Sequence, residues 1–389
     1  MKGAPLEQRI YLDYQATTPT HPRAVEAMLP WFTERFGNPH SSGHVFGQEA
    51  EYAVERARVQ LAELIGAEAR EIIFTSGATE SNNLAIKGAA RFHKDRKNHI
   101  IVVATEHKCV LEAAKRLERE GFRLTVLPVS TDGMLDLSDL EAALTQETAV
   151  VSVMTVNNEI GVIQPVSEIG ALCRKFGAYF HTDGAQSVGK IPIDVQAMNI
   201  DLMSISGHKV YGPMGIGALY VRRRPRVRIL LEMDGGGQER GMRSGTLAPP
   251  LCVGFGEAAR IADADMAEEG LRLTALRQRM LLGLMAKIDG LVLNGNAKHR
   301  LPGNLNITVP GVPSDALMAA VPEVAFSAGS ACTSAALDSS YVLRAIGLDD
   351  SAAAASIRIG LGRFTTEAEI DRAIDLLVGG VERLRPSGW

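Results

Sequence analysis

The sequence predicts an α/β protein, with a large unit built on a mainly parallel seven-stranded sheet covered by helices and a smaller α+β unit. Two observations carry the prediction. From about residue 70 to 222, short β-rich runs alternate with amphipathic helical runs. That alternation is the pattern of strand–helix–strand crossovers, which put helices on the faces of a parallel sheet. After Gly254 it gives way to a long helical run, about Ala258 to Ile288, followed by short strands. The expected division is residues 15–257 for the large unit, and 1–14 with 258–389 for the small one.

Taken in order, Glu71–Thr75 reads as a strand and Thr79–Arg91 as a helix. His99–Ala104, Arg123–Pro128, Ala149–Met154, Ala178–Thr182, Asp201–Ser204 and Gly217–Val221 read as further strands, each a β-branched or aliphatic run. Val110–Glu120, Ser138–Leu144 and Val166–Phe176 read as the helices among them. In the small unit, strands are expected near Leu291, Leu305 and Val324, and helices at Tyr341–Ile346 and Thr366–Leu384. Ligands of such sheets sit beyond the carboxyl ends of the strands. The residues just after each strand are therefore where chemistry is sought.

Composition excludes several classes. The 389 residues carry 41 Lys and Arg against 45 Asp and Glu, which gives no global basic footprint for nucleic acid. No stretch approaches the ~18 uninterrupted apolar residues of a membrane span. The segment MKGAPLEQRI lacks the apolar core of a signal peptide, so a cytoplasmic location is expected. Cys109, Cys173, Cys252 and Cys332 are far apart and form no CxxC pair or zinc-type cluster.

After the first strand, Thr75-Ser76-Gly77-Ala78-Thr79-Glu80 leads into a helix. Small residues there suit either an anion site at a helix N-terminus or an ordinary capped helix. His107 follows the next strand, placed to stack on a ring, to shuttle a proton or to serve as a structural histidine. Asn158 follows another strand, where its amide can face the rim or cap the next segment. Asp183 ends a strand and invites a cationic partner, with Gln186 three residues on. Ser206-Gly207-His208-Lys209 is the most telling segment, because a lysine held in a cleft can form a Schiff base with a carbonyl cofactor. An Asp and a Lys so placed are what a pyridoxal phosphate enzyme requires. Ser206, His208 and the Ala78–Thr79 turn would then hold the phosphate.

Ser327–Ser334 contains only small residues around Cys332, which predicts a mobile loop, about 325–337, presenting a thiol. Cys109 is the rival nucleophile, since a thiol at a helix start can have a lowered pKa. Cys173 and Cys252 read as core. Arg358 lies in a strand-like run, where it can grip an amino-acid carboxylate or make a structural salt bridge. Arg222–Arg228 holds five arginines in seven positions, read as a solvated face or a patch for an acidic partner protein. The glycine-rich stretch Asp234–Thr246 ends on a hydroxyl able to reach a phosphate.

These motifs resemble those of the cysteine desulfurases of the NifS/IscS type, in the class V aminotransferase superfamily of fold-type I pyridoxal phosphate enzymes. The resemblance runs from Tyr11-Leu12-Asp13-Tyr14 and Gly37-Asn38-Pro39 to Leu361-Gly362-Arg363-Phe364-Thr365. It includes Thr75–Ser81, Val156–Gly161, Ser206–Lys209, Arg240–Thr246 and Gly329–Ser334. The last two are similar to the branch with a long cysteine loop, typical of iron–sulfur cluster assembly.

The resemblance implies that Lys209 carries the cofactor aldehyde, Asp183 pairs with the ring nitrogen and Gln186 with the ring hydroxyl oxygen. It implies that His107 stacks on the ring and moves protons. Ala78, Thr79, Ser206, His208 and Thr246 would hold the phosphate, Thr246 from the second subunit of a homodimer. Asn158 would lie beside cofactor and substrate, and Asn38 and Arg358 would bind the substrate carboxylate. Cys332 would take sulfur from L-cysteine as a persulfide, release alanine and pass the sulfur to an iron–sulfur scaffold or to tRNA thiolation. No stable metal site is implied, only a transient cluster contact at Cys332. Gly184 departs from the family's more usual small residue with a side chain, and Pro386–Trp389 is a short tail for scaffold docking. A selenocysteine lyase, which would not depend on Cys332, and a non-catalytic adaptor are the alternative expectations.

Overall fold

The computed structural model describes residues 9–328 and 340–385. The chain starts with β1 (Ile10–Tyr11), α1 (Pro22–Met28), α2 (Pro30–Thr33) and α3 (Val45–Leu64). Then come β2 (Ile72–Thr75), α4 (Ala78–His93), β3 (His99–Val103), α5 (Lys108–Arg119), β4 (Arg123–Leu127) and α6 (Leu137–Ala143). β5 (Thr148–Ser152), α7 (Val166–Phe176), β6 (Tyr179–Asp183), β7 (Leu202–Ser206) and β8 (Gly217–Val221) complete the alternating stretch. α8 (Pro249–Met285), β9 (Val292–Leu293), β10 (Asn304–Thr308), α9 (Ser314–Ala320), β11 (Val324–Ala325) and β12 (Ser327–Ala328) follow. The last elements are α10 (Tyr341–Ala345), α11 (Asp350–Ala354), β13 (Ser356–Gly360) and α12 (Glu367–Leu384).

The seven expected strands form one sheet, in the order β2-β8-β7-β6-β5-β3-β4. All are parallel except β8, which opposes both neighbours. Every residue of β2, β3, β5, β7 and β8 is buried, as expected where helices cover both faces. A buried histidine starts β3. His99 sits 3.0 Å from the Thr148 hydroxyl of β5 and 2.9 Å from the Thr125 hydroxyl of β4, tying the three strands together. Burial pushes its pKa down to about 4, so the ring is neutral and both nitrogens are used.

The second half builds smaller sheets. β10 pairs antiparallel with β13 and β9, and β12 pairs with β13. β1 lies parallel to β11, which joins the N-terminal segment to this half. One helix connects the two cores. Cys252, Phe255, Ala259 and Ala262 of α8 pack into the core of the large sheet. Leu273, Leu276, Met280 and Leu284 pack with Ile10, Leu12, Leu305 and Ile359 in the other. We infer that the division falls inside α8, between Ala262 and Leu273. α8 itself begins at Pro249, earlier than the helical run expected from Ala258. The sequence reading carries no expectation for α1–α3. Among the described residues no helix is long and apolar enough to cross a membrane.

Candidate active site

The chain leaves β2, β3, β5, β6 and β7 at the same edge of the sheet, and the chemistry-bearing residues follow those exits. A cleft of about 430 Å³ lies there. It is lined by Ala78, Thr79, His107, Asn158, Asp183, Gln186, Ser206, His208 and Lys209. A cleft of that size suits a small-molecule ligand.

Part of the cleft lining is built for an anion. Gly77, at φ 149, turns the chain from β2 into α4 in a conformation L side chains rarely adopt. It leaves the α4 N-terminus with no side-chain cap. The free N–H groups of a helix start, with the helix dipole behind them, attract negative charge. Glu80 of the first turn does not oppose this. Its carboxylate accepts the Ser76 N–H at 2.7 Å and pairs with Arg243 at 2.8 Å. Burial works against its ionisation, yet these bonds hold it below its ordinary value. His208 has Nδ1 3.0 Å from the Thr17 hydroxyl. Burial, with Lys209 and Lys190 adding to it, pushes its pKa down to about 4, so the ring is neutral.

The lining also carries an acid. Asp183 is buried, with Oδ1 accepting the Ala185 N–H at 2.9 Å and Oδ2 accepting Asn82 Nδ2 at 2.7 Å. Gln186 donates from Nε2 to the Gln15 carbonyl at 2.9 Å and accepts from Lys190 at 3.3 Å. Gly184 packs closely here, since a Cβ would come 3.0 Å from Met203 Cγ and the Ser204 carbonyl oxygen. His107 caps α5 and is held below its ordinary pKa chiefly by burial.

Cys109 corrects an expectation. It stands in the first turn of α5, yet burial, reinforced by the Asp183 charge, pushes its thiol up to about 12. Desolvation outweighs the helix dipole, so Cys109 is no ready nucleophile. Cys173 and Cys252 are core residues. Cys332 and residues 329–337 of its loop lie outside the described residues.

Asn38, Arg358 and Thr246 do not line the cleft among the described residues. Asn38 is exposed and accepts the His40 N–H at 2.9 Å. Thr246 is exposed. Arg358 is buried, pairs with Asp13 at 2.8 Å and donates to the Asn158 carbonyl at 3.0 Å. The arginine run is only partly a solvated face. Arg223, Arg224, Arg226 and Arg228 are exposed, but Arg222 is buried against Asp201 and donates to the Ile200 carbonyl. Among the described residues no group of His, Cys, Asp and Glu is arranged to hold a metal.

Asn82 is the functional residue that reading the strand ends misses. It lies one turn beyond Ala78 on α4, so helical spacing puts both on one face and was the signal available. Thr17, which braces His208, had none: it reaches the rim from the N-terminal segment.

Comparison with known proteins matches this geometry. The aminotransferase class-V family matches residues 10–373. The chain is 57% identical over 376 residues to a cysteine desulfurase IscS of Rickettsia rickettsii (strain Iowa), covering 97% of this chain and 92% of that protein. It is 56% identical over 381 residues to a human cysteine desulfurase, covering 98% and 83%. A solved NifS-like protein superimposes with a TM-score of 0.90 at 35% identity, over 96% of this chain and 100% of the other. A likeness that spans both cores and the whole rim leaves one assignment: the chain belongs to the aminotransferase class-V family and, within it, to the cysteine desulfurases.

Proposed function

We propose that the cleft holds pyridoxal 5'-phosphate and that the chain moves sulfur from L-cysteine to Cys332 as a persulfide, releasing L-alanine. The observation that carries this reading is the set of groups that line the cleft. An uncapped helix start, a buried carboxylate and Lys209 all face the same space. Phosphate, ring nitrogen and aldehyde each find a group of matching chemistry, so the residues fit the cofactor. The family is one of pyridoxal phosphate enzymes, which supports the same reading.

The cofactor, when bound, supplies an electron sink for bonds broken at the substrate's carbons. Lys209 would carry its aldehyde. Asp183, fixed by Asn82 and Ala185, would keep a proton on the ring nitrogen. Gln186 would donate to the ring oxygen. Ala78, Thr79, Ser206 and His208 would hold the phosphate, with Thr246 of the partner subunit in a homodimer. His107, neutral in the cleft, would stack on the ring and move a proton. Asn38, Asn158 and Arg358 would meet the substrate carboxylate. Buried Arg358 Nε has no hydrogen-bond partner among the described residues, which supports a ligand there. The carbon–sulfur bond of cysteine breaks as a sulfur–sulfur bond to Cys332 forms, and the carbon takes up a proton to give alanine. The persulfide sulfur then goes to an iron–sulfur scaffold or another acceptor, tRNA thiolation included. The IscS name of the relatives supports the cluster route.

The test is sulfide and alanine release from L-cysteine with a thiol reductant, in wild type and Cys332→Ala. Matched products in the wild type, lost in the variant while the cofactor's visible absorbance survives, support the reading. Equal release from both overturns the role of Cys332.

A further inference from the structure

His107 sits in the cleft with a chemical choice unmade: which ring nitrogen carries its proton. We infer that the Cys109 thiol is a positioning group that donates to His107 Nδ1, fixes the Nε2–H tautomer and links that ring to the brace on Asp183. The inference rests on the reading of His107 as a cofactor-facing residue.

The backbone supplies the first constraint. The Cys109 N–H points at His107 Nδ1 from 3.3 Å. A backbone N–H can only donate, so while this bond is made Nδ1 is unprotonated and the neutral ring carries its proton on Nε2; at 3.3 Å the bond is long and favours that tautomer without fixing it. The thiol supplies the second. Cys109 Sγ lies 2.9 Å from the same Nδ1. Facing an unprotonated nitrogen, the contact is an S–H···N bond, and the sulfur has to keep its proton. Burial ensures that it does at neutral pH.

The sulfur also accepts. Asn82 Nδ2 donates to Sγ at 3.1 Å and to Asp183 Oδ2 at 2.7 Å. The carboxylate can only accept, so the Asn82 amide cannot be reversed. Cys109 is thus where two residues from different parts of the site meet: Asn82 behind the acid and His107 on the rim. A cysteine that merely filled space would make none of these contacts. Donation runs one way, from Asn82 through Cys109 to His107. Nε2–H is left as the proton the ring can offer to the cleft.

The test uses full-length holoenzyme with histidine ring nitrogens labelled for NMR, His107 being identified by its loss in His107→Gln. Wild type and Cys109→Ser, which both present a donor, should show Nε2 protonated and Nδ1 accepting. Cys109→Ala keeps the backbone donor but loses the thiol, so an Nδ1–H population should appear. Its kcat for sulfide release should fall about two- to fivefold, in proportion to the population lost, with KM unchanged. Cys109→Ser should restore both. An Nδ1–H in the wild type, or an unchanged tautomer in Cys109→Ala, overturns the inference whatever the rate does. A wild type that releases no sulfide from cysteine overturns the proposed function instead, and leaves the tautomer to be judged by itself.

Discussion

Arg358 of β13 donates from Nη1 to the carbonyl oxygen of Asn158 at 3.0 Å, so a strand of the second core sets a turn on the rim of the large sheet. The same turn is held from another side. Asn304 and Asn306 of β10 both donate to the Glu159 carbonyl at 3.2 Å. Asn157 folds it from within, accepting the Glu159 and Ile160 N–H groups at 2.8 and 2.9 Å. Asn158 therefore enters the cleft at a position fixed by both halves of the protein.

Arg358 also pairs with Asp13, so its two roles can be separated. Removing one partner of a buried pair leaves an uncompensated charge and costs ~3 kcal/mol or more. Arg358→Ala should lose about that much stability in urea and raise KM for cysteine. Adding Asp13→Asn should recover part of the stability and none of the KM. Recovery of both would mean that Arg358 acts only through Asp13.

A second buried pair holds the glycine-rich stretch. Arg58 Nη1 and Nη2 meet Glu239 Oε2 and Oε1 at 2.7 and 2.8 Å, and Oε2 also accepts the Phe74 N–H at 2.6 Å. Both side chains are 3% exposed, so solvent screening is slight. Glu239→Ala should cost ~3–5 kcal/mol in chemical denaturation. It should also weaken cofactor affinity, because the stretch that carries Thr246 loses its anchor beneath β2. Unchanged stability would show that the pair is dispensable.

Asn82 offers a test of the acid. Hydrogen bonds to charged groups contribute ~1.5–3 kcal/mol, and ~1.4 kcal/mol is a factor of ten in affinity. Asn82→Ala should therefore weaken cofactor binding roughly ten- to a hundredfold, read by titrating the cofactor's absorbance. A variant that binds as tightly as the wild type would remove Asn82 from the site.

Glu159 makes stability depend on pH. Burial pushes its carboxyl from an ordinary 4.5 up to about 7, against lowering by the Ser340 hydroxyl and Arg358. The folded state holds this proton more tightly than the unfolded chain. The stability it contributes is fully present below 4.5 and is lost as pH rises through about 7. The loss is on the order of 3 kcal/mol. Glu159→Gln stays neutral, so its urea stability should change less between about pH 5 and about pH 8 than the wild type's. Parallel curves would sink the assignment.

The large sheet and most of its rim were legible in the chain. Runs such as Ile72–Thr75 and Gly217–Val221 are almost wholly apolar because both faces of the sheet are covered, and that pattern is local. Lys209, Asp183, His107 and Ala78–Thr79 were found because strand exits are local features too, and topology sends those exits to one edge. What the chain could not show by itself depends on residues far apart meeting. Arg358 finds Asp13 across 345 positions, and neither carries a mark of the other. Cys109 sits at a helix start, which favours a thiolate, and only packing around the cleft shows that desolvation wins. Local pattern decides which elements form and which residues face the rim. Burial and long-range pairing decide the protonation, orientation and partners of those residues, and these exist only once the two cores have closed around the cleft.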